Sequence, residues 1–289
     1  MKYFYYPGCS LEASAKEYDM STRALMQALE VELTEIPDWT CCGASAAEAT
    51  SELLSLSLAA RNLALAGRGG EDLDILVPCS ACYLNLKRVE QRAGGDADLK
   101  KRLNMVLEVE NLTLERVPAP RHLLDVLSRE IGAAPIGKKR KRPLDGLRIA
   151  PYYGCQCLRP YAVFDDPEDP RSMEPLILAT GAEVHRFAMA GRCCGAAHMN
   201  TEMEVGLRLV AAILHDARGA DAVVTVCPMC QMNLEAYQRK ASRAAGEDLA
   251  IPVLYLPQLL GAALGLGPKA LGLDLNLALP AAFAARLAA

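Results

Sequence analysis

Ten of the eleven cysteines in this 289-residue chain fall into two sets of five that share the same internal order. In each set a single cysteine comes first, an adjacent pair followed by glycine comes next, and a Cys-x-x-Cys motif comes last. The sets are Cys9, Cys41, Cys42, Cys79 and Cys82, and Cys155, Cys193, Cys194, Cys227 and Cys230. A globular core gives no reason for this distribution, so the pattern indicates a metal or redox site in each half.

Five thiols in a set restrict what each site can hold. A structural zinc ion takes four ligands in a tetrahedron, so each set offers one thiol too many. Disulfide bonds are disfavoured because adjacent cysteines form strained bridges. A single reactive cysteine would leave the duplication unexplained. Iron–sulfur chemistry suits an all-thiolate site, in which a fifth thiolate implies either an exchangeable ligand or a larger cluster.

Composition narrows the classes of function further. The net charge of -4 gives no general case for a nucleic-acid partner. No apolar run reaches the length of a transmembrane segment, and the first nine residues do not read as a signal peptide. We therefore expect a cytoplasmic protein, whose thiols stay reduced.

Strand-like and helix-like segments alternate along both halves. The predicted strands lie at 2–6, 32–36, 73–77, 147–153, 183–187 and 222–226, and each ends at or just before a cysteine group. Such alternation predicts parallel sheets, whose ligands sit beyond the carboxyl ends of the strands. We expect an α/β fold of two duplicated halves, each a small parallel sheet flanked by helices, related by a pseudo-twofold. Each cysteine set should then converge on one sheet edge.

The helices and boundaries follow from the same pattern. Long helices are predicted at 45–65 and 200–218, and a helix at 121–131 closes the first half. We predict a first domain at 1–132, a linker at 133–146 and a second domain at 147–289. The linker carries the basic run Lys138-Lys-Arg-Lys-Arg142, which we interpret as solvated. The apolar tail at 260–289 is expected to pack on a partner rather than on its own chain.

The doubled cysteine pattern resembles the cysteine-rich CCG domain, which occurs twice in the B-type subunit of the heterodisulfide reductase family. The flanking segments Tyr5-Tyr-Pro-Gly-Cys, Asp38-Trp-Thr-Cys-Cys-Gly, Pro78-Cys-Ser-Ala-Cys-Tyr and Cys227-Pro-Met-Cys-Gln-Met-Asn-Leu carry the same resemblance. It covers residues 1 to 265. One departure is the 32-residue segment between Cys194 and Cys227, which is slightly shorter than the usual form.

The resemblance implies two noncubane [4Fe-4S] clusters, one on each five-cysteine set, facing each other across the interface of the halves. It implies that a disulfide is reduced or formed there, or that protein-bound or cofactor-bound sulfur is oxidised. The substrate would be a small thiol or disulfide, or lipoate-bound sulfur. Electrons would pass through two partners, one ferredoxin-like iron–sulfur subunit and one flavin-containing subunit. This chain itself carries neither a ferredoxin cysteine run nor a dinucleotide fingerprint.

Some residues beside the ligands are candidates for supporting roles. Gly43 and Gly195 would let the backbone approach a bulky cofactor closely. Gln156 and His198 would hydrogen-bond around the ligands, and His198 is also a candidate proton donor. Cys157 falls outside the pattern and is predicted to be a small buried residue.

A second interpretation stays open. The same domain occurs in complexes that oxidise lactate, glycolate or succinate. On this reading the chain is an electron-transfer subunit with conventional clusters, or with zinc at one site. An enzyme subunit should bind a thiol or disulfide at its clusters, whereas a relay should not.

Overall fold

The computed structural model describes residues 1–68 and 70–288. Its strands are β1 (Lys2–Tyr5), β2 (Glu32–Glu35), β3 (Ile75–Val77), β4 (Pro120–His122), β5 (Arg148–Tyr152), β6 (Glu183–Val184), β7 (Ala222–Thr225) and β8 (Val253–Tyr255). They form two four-stranded sheets, in the orders β2-β1-β3-β4 and β6-β5-β7-β8. Every neighbouring pair is parallel. The predicted α/β fold of two duplicated halves is therefore confirmed.

Helices connect the strands and cover the sheets. In the first half they are α1 (Cys9–Glu12), α2 (Lys16–Ala28), α3 (Ala44–Thr50), α4 (Glu52–Arg68), α5 (Ser80–Gly95), α6 (Ala97–Leu107) and α7 (Leu123–Asp125). The remaining helices are α8 (Ala133–Lys139), α9 (Glu174–Ala179), α10 (Met203–Asp216), α11 (Pro228–Ala236), α12 (Gln238–Ala245), α13 (Leu256–Ala263) and α14 (Ala281–Ala288). None of the helices in the described residues is long and apolar enough to cross a lipid bilayer.

Two of the predicted helices are not continuous α-helices in the structure. The predicted helix at 45–65 is broken at Ser51, whose backbone is extended with φ -160° and ψ 129°. The Ser51 hydroxyl accepts a hydrogen bond from the Leu54 amide, so this residue caps the start of α4. The segment 121–131 begins as the end of β4, continues as α7 and ends in a π-helical stretch at Val126–Ile131. Parallel pairing of β4 with β3 outweighs the helical periodicity at its start.

The predicted linker contains a packed helix. Within it, α8 buries Ile136, and the Lys139 ammonium pairs with Glu30 and donates to the Ala28 carbonyl oxygen. Three side chains of the basic run, Lys138, Arg140 and Lys141, are exposed. The interpretation as a solvated run therefore holds for these three residues but not for Lys139, which ties the linker to the first half.

The apolar tail is packed on the chain itself. It buries six large apolar side chains, namely Leu260, Leu264, Leu271, Leu273, Phe283 and Leu287. Gln258 and Glu235 also bind its backbone at Leu271 and Ala278. The expectation of a tail held by a partner rather than by its own chain is therefore wrong for these residues, which pack on both halves; Gly272, for example, lies against Glu17 of the first half.

Each half places one aromatic ring against the end of the other half's sheet. Tyr18 of α2 stacks on Tyr255, the last residue of β8, with ring centroids 4.1 Å apart. Phe164 of the second half stacks on His122, the last residue of β4, with centroids 5.9 Å apart. Tyr18 and Phe164 each stand nine residues after the first cysteine of their set. Equivalent positions therefore make equivalent contacts in both directions, as the predicted pseudo-twofold requires.

Candidate metal centres

The first cysteine set gathers at the carboxyl edge of its sheet. The Sγ atoms of Cys9 and Cys41 lie 3.4 Å apart, and those of Cys42 and Cys82 also lie 3.4 Å apart. Cys9 and Cys41 are exposed, whereas Cys42, Cys79 and Cys82 are buried. The set thus runs from the protein interior to the surface.

The second set is arranged in the same way around a cavity of about 70 Å³. Cys193 is exposed and Cys155 half-buried, while the other three thiols are buried. The cavity is lined by all five cysteines together with side chains that include Ser80, Tyr153, Gln156 and Met229. Ser80 belongs to the first half, so this cavity lies against the interface.

The two sets meet at Cys79 and Cys227, which influence each other's pKa values. The residues just before them are joined as well. The Tyr18 hydroxyl lies 3.0 Å from the carbonyl oxygen of Pro78 and 3.0 Å from that of Val226. The Tyr18 hydroxyl therefore joins the ends of the two cysteine sets across the interface.

A glycine before the first cysteine of each set makes room for a buried sulfur. Gly8 and Gly154 have φ values of 74° and 70°, a region that side chains disfavour. A Cβ atom at Gly8 would lie 2.7 Å from Cys82 Sγ, and one at Gly154 would lie 2.9 Å from Cys230 Sγ. Any larger residue would push these sulfurs out of the site.

The glycine after each cysteine pair brings a backbone donor to sulfur. Gly43 and Gly195 are left-handed, with φ values of 81° and 76°. Their amides donate to the Sγ atoms of Cys41 and Cys193 over 3.4 Å and 3.3 Å. Such donors stabilise negative charge on sulfur.

Asparagines that the sequence reasoning missed hold the cysteine pairs in place. Asn233 Nδ2 donates to the carbonyl oxygen of Cys194 over 2.7 Å. Asn85 Nδ2 donates to the Cys42 carbonyl oxygen over 3.1 Å. Each asparagine stands three residues after the last cysteine of its set, and this shared offset is the signal that could have found them.

Buried tyrosines support the same loops from the other side. The Tyr6 hydroxyl donates to the carbonyl oxygen of Thr40, and the Tyr152 hydroxyl to that of Arg192, each over 2.6 Å. Both acceptors directly precede a cysteine pair. Equivalent hydrogen bonds from a tyrosine and an asparagine therefore hold the backbone of both cysteine pairs.

Hydrogen bonds between thiols shift their pKa values in opposite directions. The pKa of Cys42 falls to about 3, first because of its hydrogen bond with Cys41 and then because of its hydrogen bond with Cys82. The pKa of Cys82 rises well above its usual value, chiefly through the hydrogen bond to Cys42. Hydrogen bonding from Cys155 likewise lowers the pKa of Cys193 to about 6. Each set thus favours a thiolate, the form that binds metal.

Hydrogen bonding between thiols also shifts the pKa values of Cys79 and Cys227 in opposite directions. Hydrogen bonds from Cys230 and then Cys79 lower the pKa of Cys227 well below its usual value. The pKa of Cys79 rises, first because of its hydrogen bond with Cys227. One negative sulfur is therefore favoured where the halves meet.

The other candidate residues occupy distinct places. Gln156 lines the cavity of the second set. His198 is exposed, and it contributes to lowering the pKa of Cys193, after the hydrogen bonds from Cys155 and the Gly195 amide. Cys157 is buried and its thiol donates to the Tyr153 carbonyl oxygen, as expected for a residue outside the ligand pattern.

The donor sets fit an iron–sulfur cluster. Among the residues that the structure describes, no three Cys, His, Asp or Glu side chains converge as ligands of one metal ion would. The first set instead contains two close sulfur pairs, Cys9 with Cys41 and Cys42 with Cys82, and the second set lines one cavity. All ten donors are soft thiols, which is the ligand type of iron–sulfur clusters.

Comparisons with known sequences agree with this arrangement. The profile of the cysteine-rich domain matches residues 3–87 and 149–235. The 8-methylmenaquinol:fumarate reductase membrane anchor subunit of Wolinella succinogenes is 36% identical over 279 residues, which are 95% of this chain and 96% of that protein. The B-type subunit of the ferredoxin/F420H2-dependent CoB-CoM heterodisulfide reductase of Methanosarcina acetivorans is 30% identical over 93% of this chain and 91% of its own length.

A solved structure supports the fold alone. The crystal structure of a hypothetical protein from Helicobacter pylori superposes with a TM-score of 0.76 at 17% sequence identity. The match covers 96% of this chain, which spans about half, 52%, of that structure. With the sequence comparisons, these findings show that the chain belongs to the cysteine-rich domain family that includes the B-type subunit of heterodisulfide reductases, and that it carries the domain twice.

Proposed function

We propose that the chain is the catalytic iron–sulfur subunit of a heterodisulfide reductase-type complex. It reduces or forms a disulfide, or oxidises protein-bound or cofactor-bound sulfur, at two noncubane [4Fe-4S] clusters. The proposed ligands are the ten cysteines of the two sets. The observation that carries the proposal is the Tyr18 hydroxyl, which lies 3.0 Å from the carbonyl oxygens of Pro78 and Val226, because these residues directly precede Cys79 and Cys227 and so bring the two cysteine sets together at the interface.

A disulfide has two nearly equivalent sulfur atoms, and the chain has two equivalent cysteine sets. Reduction of a disulfide consumes two electrons and two protons and yields two thiols. When bound, the clusters would supply the single electrons and a place for each sulfur. The exposed edges at Cys41 and Cys193 give solvent access to both sets. His198 would hold a proton beside Cys193, and the amides of Gly43 and Gly195 would stabilise negative sulfur.

The proposal includes partners. A ferredoxin-like iron–sulfur subunit would exchange electrons with this chain, and a flavin-containing subunit would follow it in the electron path. The substrate would be a small thiol or disulfide, or lipoate-bound sulfur. Eleven free cysteines suit a cytoplasmic setting, where thiols stay reduced.

The test is metal analysis and EPR spectroscopy of anaerobically purified protein. Two four-iron clusters predict about eight iron and about eight sulfide per chain. A new EPR signal on adding a thiol to the oxidised protein is expected. A full iron content without any response to a range of thiols and disulfides would contradict sulfur chemistry at the clusters.

A second candidate is an electron-transfer subunit of a fumarate or succinate type of complex. The 36% identity to the Wolinella succinogenes protein, over nearly the full length of both chains, favours it. This function predicts conventional clusters, or four iron atoms with one zinc, and spectra that thiols leave unchanged. Reduction of the clusters by a quinol in the intact complex would support it.

A further inference from the structure

A single buried hydroxyl joins the two cysteine sets. Tyr18 has no exposed surface, and its hydroxyl lies 3.0 Å from both the Pro78 and the Val226 carbonyl oxygens. One acceptor belongs to each half. The acceptor residues Pro78 and Val226 directly precede Cys79 and Cys227. The hydroxyl therefore links the two backbone segments that lead into these cysteines.

The hydroxyl cannot easily turn to another partner. Its ring is stacked on Tyr255 with centroids 4.1 Å apart and an interplanar angle of 4°. Its one proton is shared between the two carbonyl oxygens. Ser80 Oγ also donates to the Val226 oxygen, over 3.3 Å. Two first-half side chains thus bind one second-half carbonyl group.

This link exists on only one side of the pseudo-twofold. Phe164 occupies the position equivalent to Tyr18 and stacks on His122, but it has no hydroxyl. Both rings cover the end of the opposite sheet, so ring packing alone is common to the two sides. The hydroxyl is an additional feature of Tyr18.

We propose that Tyr18 is a positioning residue that sets the separation of the two metal centres through this shared hydrogen bond. The inference deepens the proposed function and rests on it for the identity of the centres. The placement of Cys79 and Cys227 by Tyr18 does not depend on which metal centres these cysteines bind. Loss of the hydroxyl would remove this donor from the Pro78 carbonyl group and leave the Val226 carbonyl group with Ser80 as its side-chain donor, and it would loosen the segments that lead into these cysteines.

The first test uses the reduced, metal-free chain. Mild oxidation with diamide, followed by peptide mapping, measures how fast a Cys79–Cys227 disulfide forms. Tyr18→Phe keeps the ring and is expected to slow this bond about tenfold, the effect of losing roughly one hydrogen bond. Ser80→Ala is expected to slow it less, because the other donor to Val226 remains.

Tyr152→Phe is the matched control. It also removes a buried hydroxyl that binds the carbonyl group before a cysteine, but its acceptor, Arg192, lies in the same half. The rate at which Cys79 joins Cys227 should stay unchanged in this variant. Equal rates in Tyr18→Phe and the native chain, with native circular dichroism in both, would overturn the inference.

The second test uses the cluster-loaded protein. Tyr18→Phe is expected to weaken the magnetic interaction between the centres in the EPR spectrum, whereas Tyr152→Phe should alter one centre only. A thiol-responsive signal with an unchanged interaction would refute the role of Tyr18 and leave the proposed function standing. Slower trapping in Tyr18→Phe without any thiol response would support the positioning role and refute the proposed sulfur chemistry.

Discussion

The Phe164 ring lies parallel to the His122 imidazole, with 5.9 Å between centroids and 6° between planes. His122 is fully buried, and this burial lowers its pKa to about 4. Its Nδ1 accepts from the Leu124 amide over 3.2 Å, so Nε2 carries the proton towards Ser80 Oγ, 3.1 Å away. Phe164 is the part of the second half that covers this neutral histidine.

Phe164→Ala should therefore destabilise the interface between the halves. The side chain is half-buried, so we expect a loss of about 2 kcal/mol in the free energy of unfolding, below the range for fully buried phenylalanine. Urea unfolding of the reduced, metal-free protein measures it. Val163→Ala, at the exposed neighbouring position, should change little. Equal stability of the two variants would show that the stack contributes nothing.

Asn233→Asp should disrupt the second cysteine set selectively. The change replaces an amide donor with a carboxylate that faces the Cys194 carbonyl oxygen at 2.7 Å. We expect a loss of about 2–3 kcal/mol in stability and about half of the bound iron. Iron analysis with unfolding measures both. Asn200→Asp carries the same charge change at an exposed position and should retain full iron.

Gly154→Ala should destabilise the protein more than Gly146→Ala, because only the first change adds a Cβ atom close to Cys230. Gly146 has nearly the same backbone, with φ 73° against 70°, but has open space where a Cβ would stand. Gly146→Ala should cost about 1 kcal/mol for the backbone alone. Gly154→Ala should cost at least about 1 kcal/mol more, because its Cβ would meet Cys230 Sγ at 2.9 Å. Identical unfolding free energies would exclude the steric effect.

Glu17→Gln should stabilise the protein increasingly as the pH rises from about 4.5 to about 7. Burial raises the pKa of Glu17 to about 7, and the nearby Glu235 carboxyl adds to the rise. Well below pH 4.5 both the folded and unfolded chains hold the proton, so the substitution changes nothing there. Between pH 4.5 and 7 the unfolded chain loses this proton more readily than the folded one, and above about pH 7 the gain of the variant is complete at about 1–2 kcal/mol after solvent screening.

Unfolding free energies at pH 4 and pH 8 check this dependence. Glu108→Gln serves as the control because Glu108 is exposed. A gain from Glu17→Gln that is the same at both pH values would contradict titration of this carboxyl as the cause.

The placement of the cysteines at the carboxyl edges of the sheets could be predicted, because the hydrophobic pattern marks the strands and parallel pairing sets where their ends lie. The buried run Ile75–Val77 ends two residues before Cys79, and Ala222–Thr225 ends two residues before Cys227. Parallel pairing then brings both motifs to the carboxyl edges of their sheets. That rule needs only the order of strands along the chain, which the sequence displays.

The supporting contacts were harder to predict. Asn85 and Asn233 become visible only when the two halves are compared position by position. The bond from Tyr18 to Val226 spans 208 residues and depends on how one sheet faces the other. Hydrophobic periodicity says nothing about that placement. The break at Ser51 was missed because its capping bond competes with an otherwise helical pattern.

The two reciprocal ring stacks make the interface between the halves self-complementary. Each half covers the end of the other's sheet with the residue at the same position, as the two copies in a C2 homodimer do at an isologous interface. Either half on its own would leave both its ring and the end of its sheet exposed to water, so each half depends on the other for its burial.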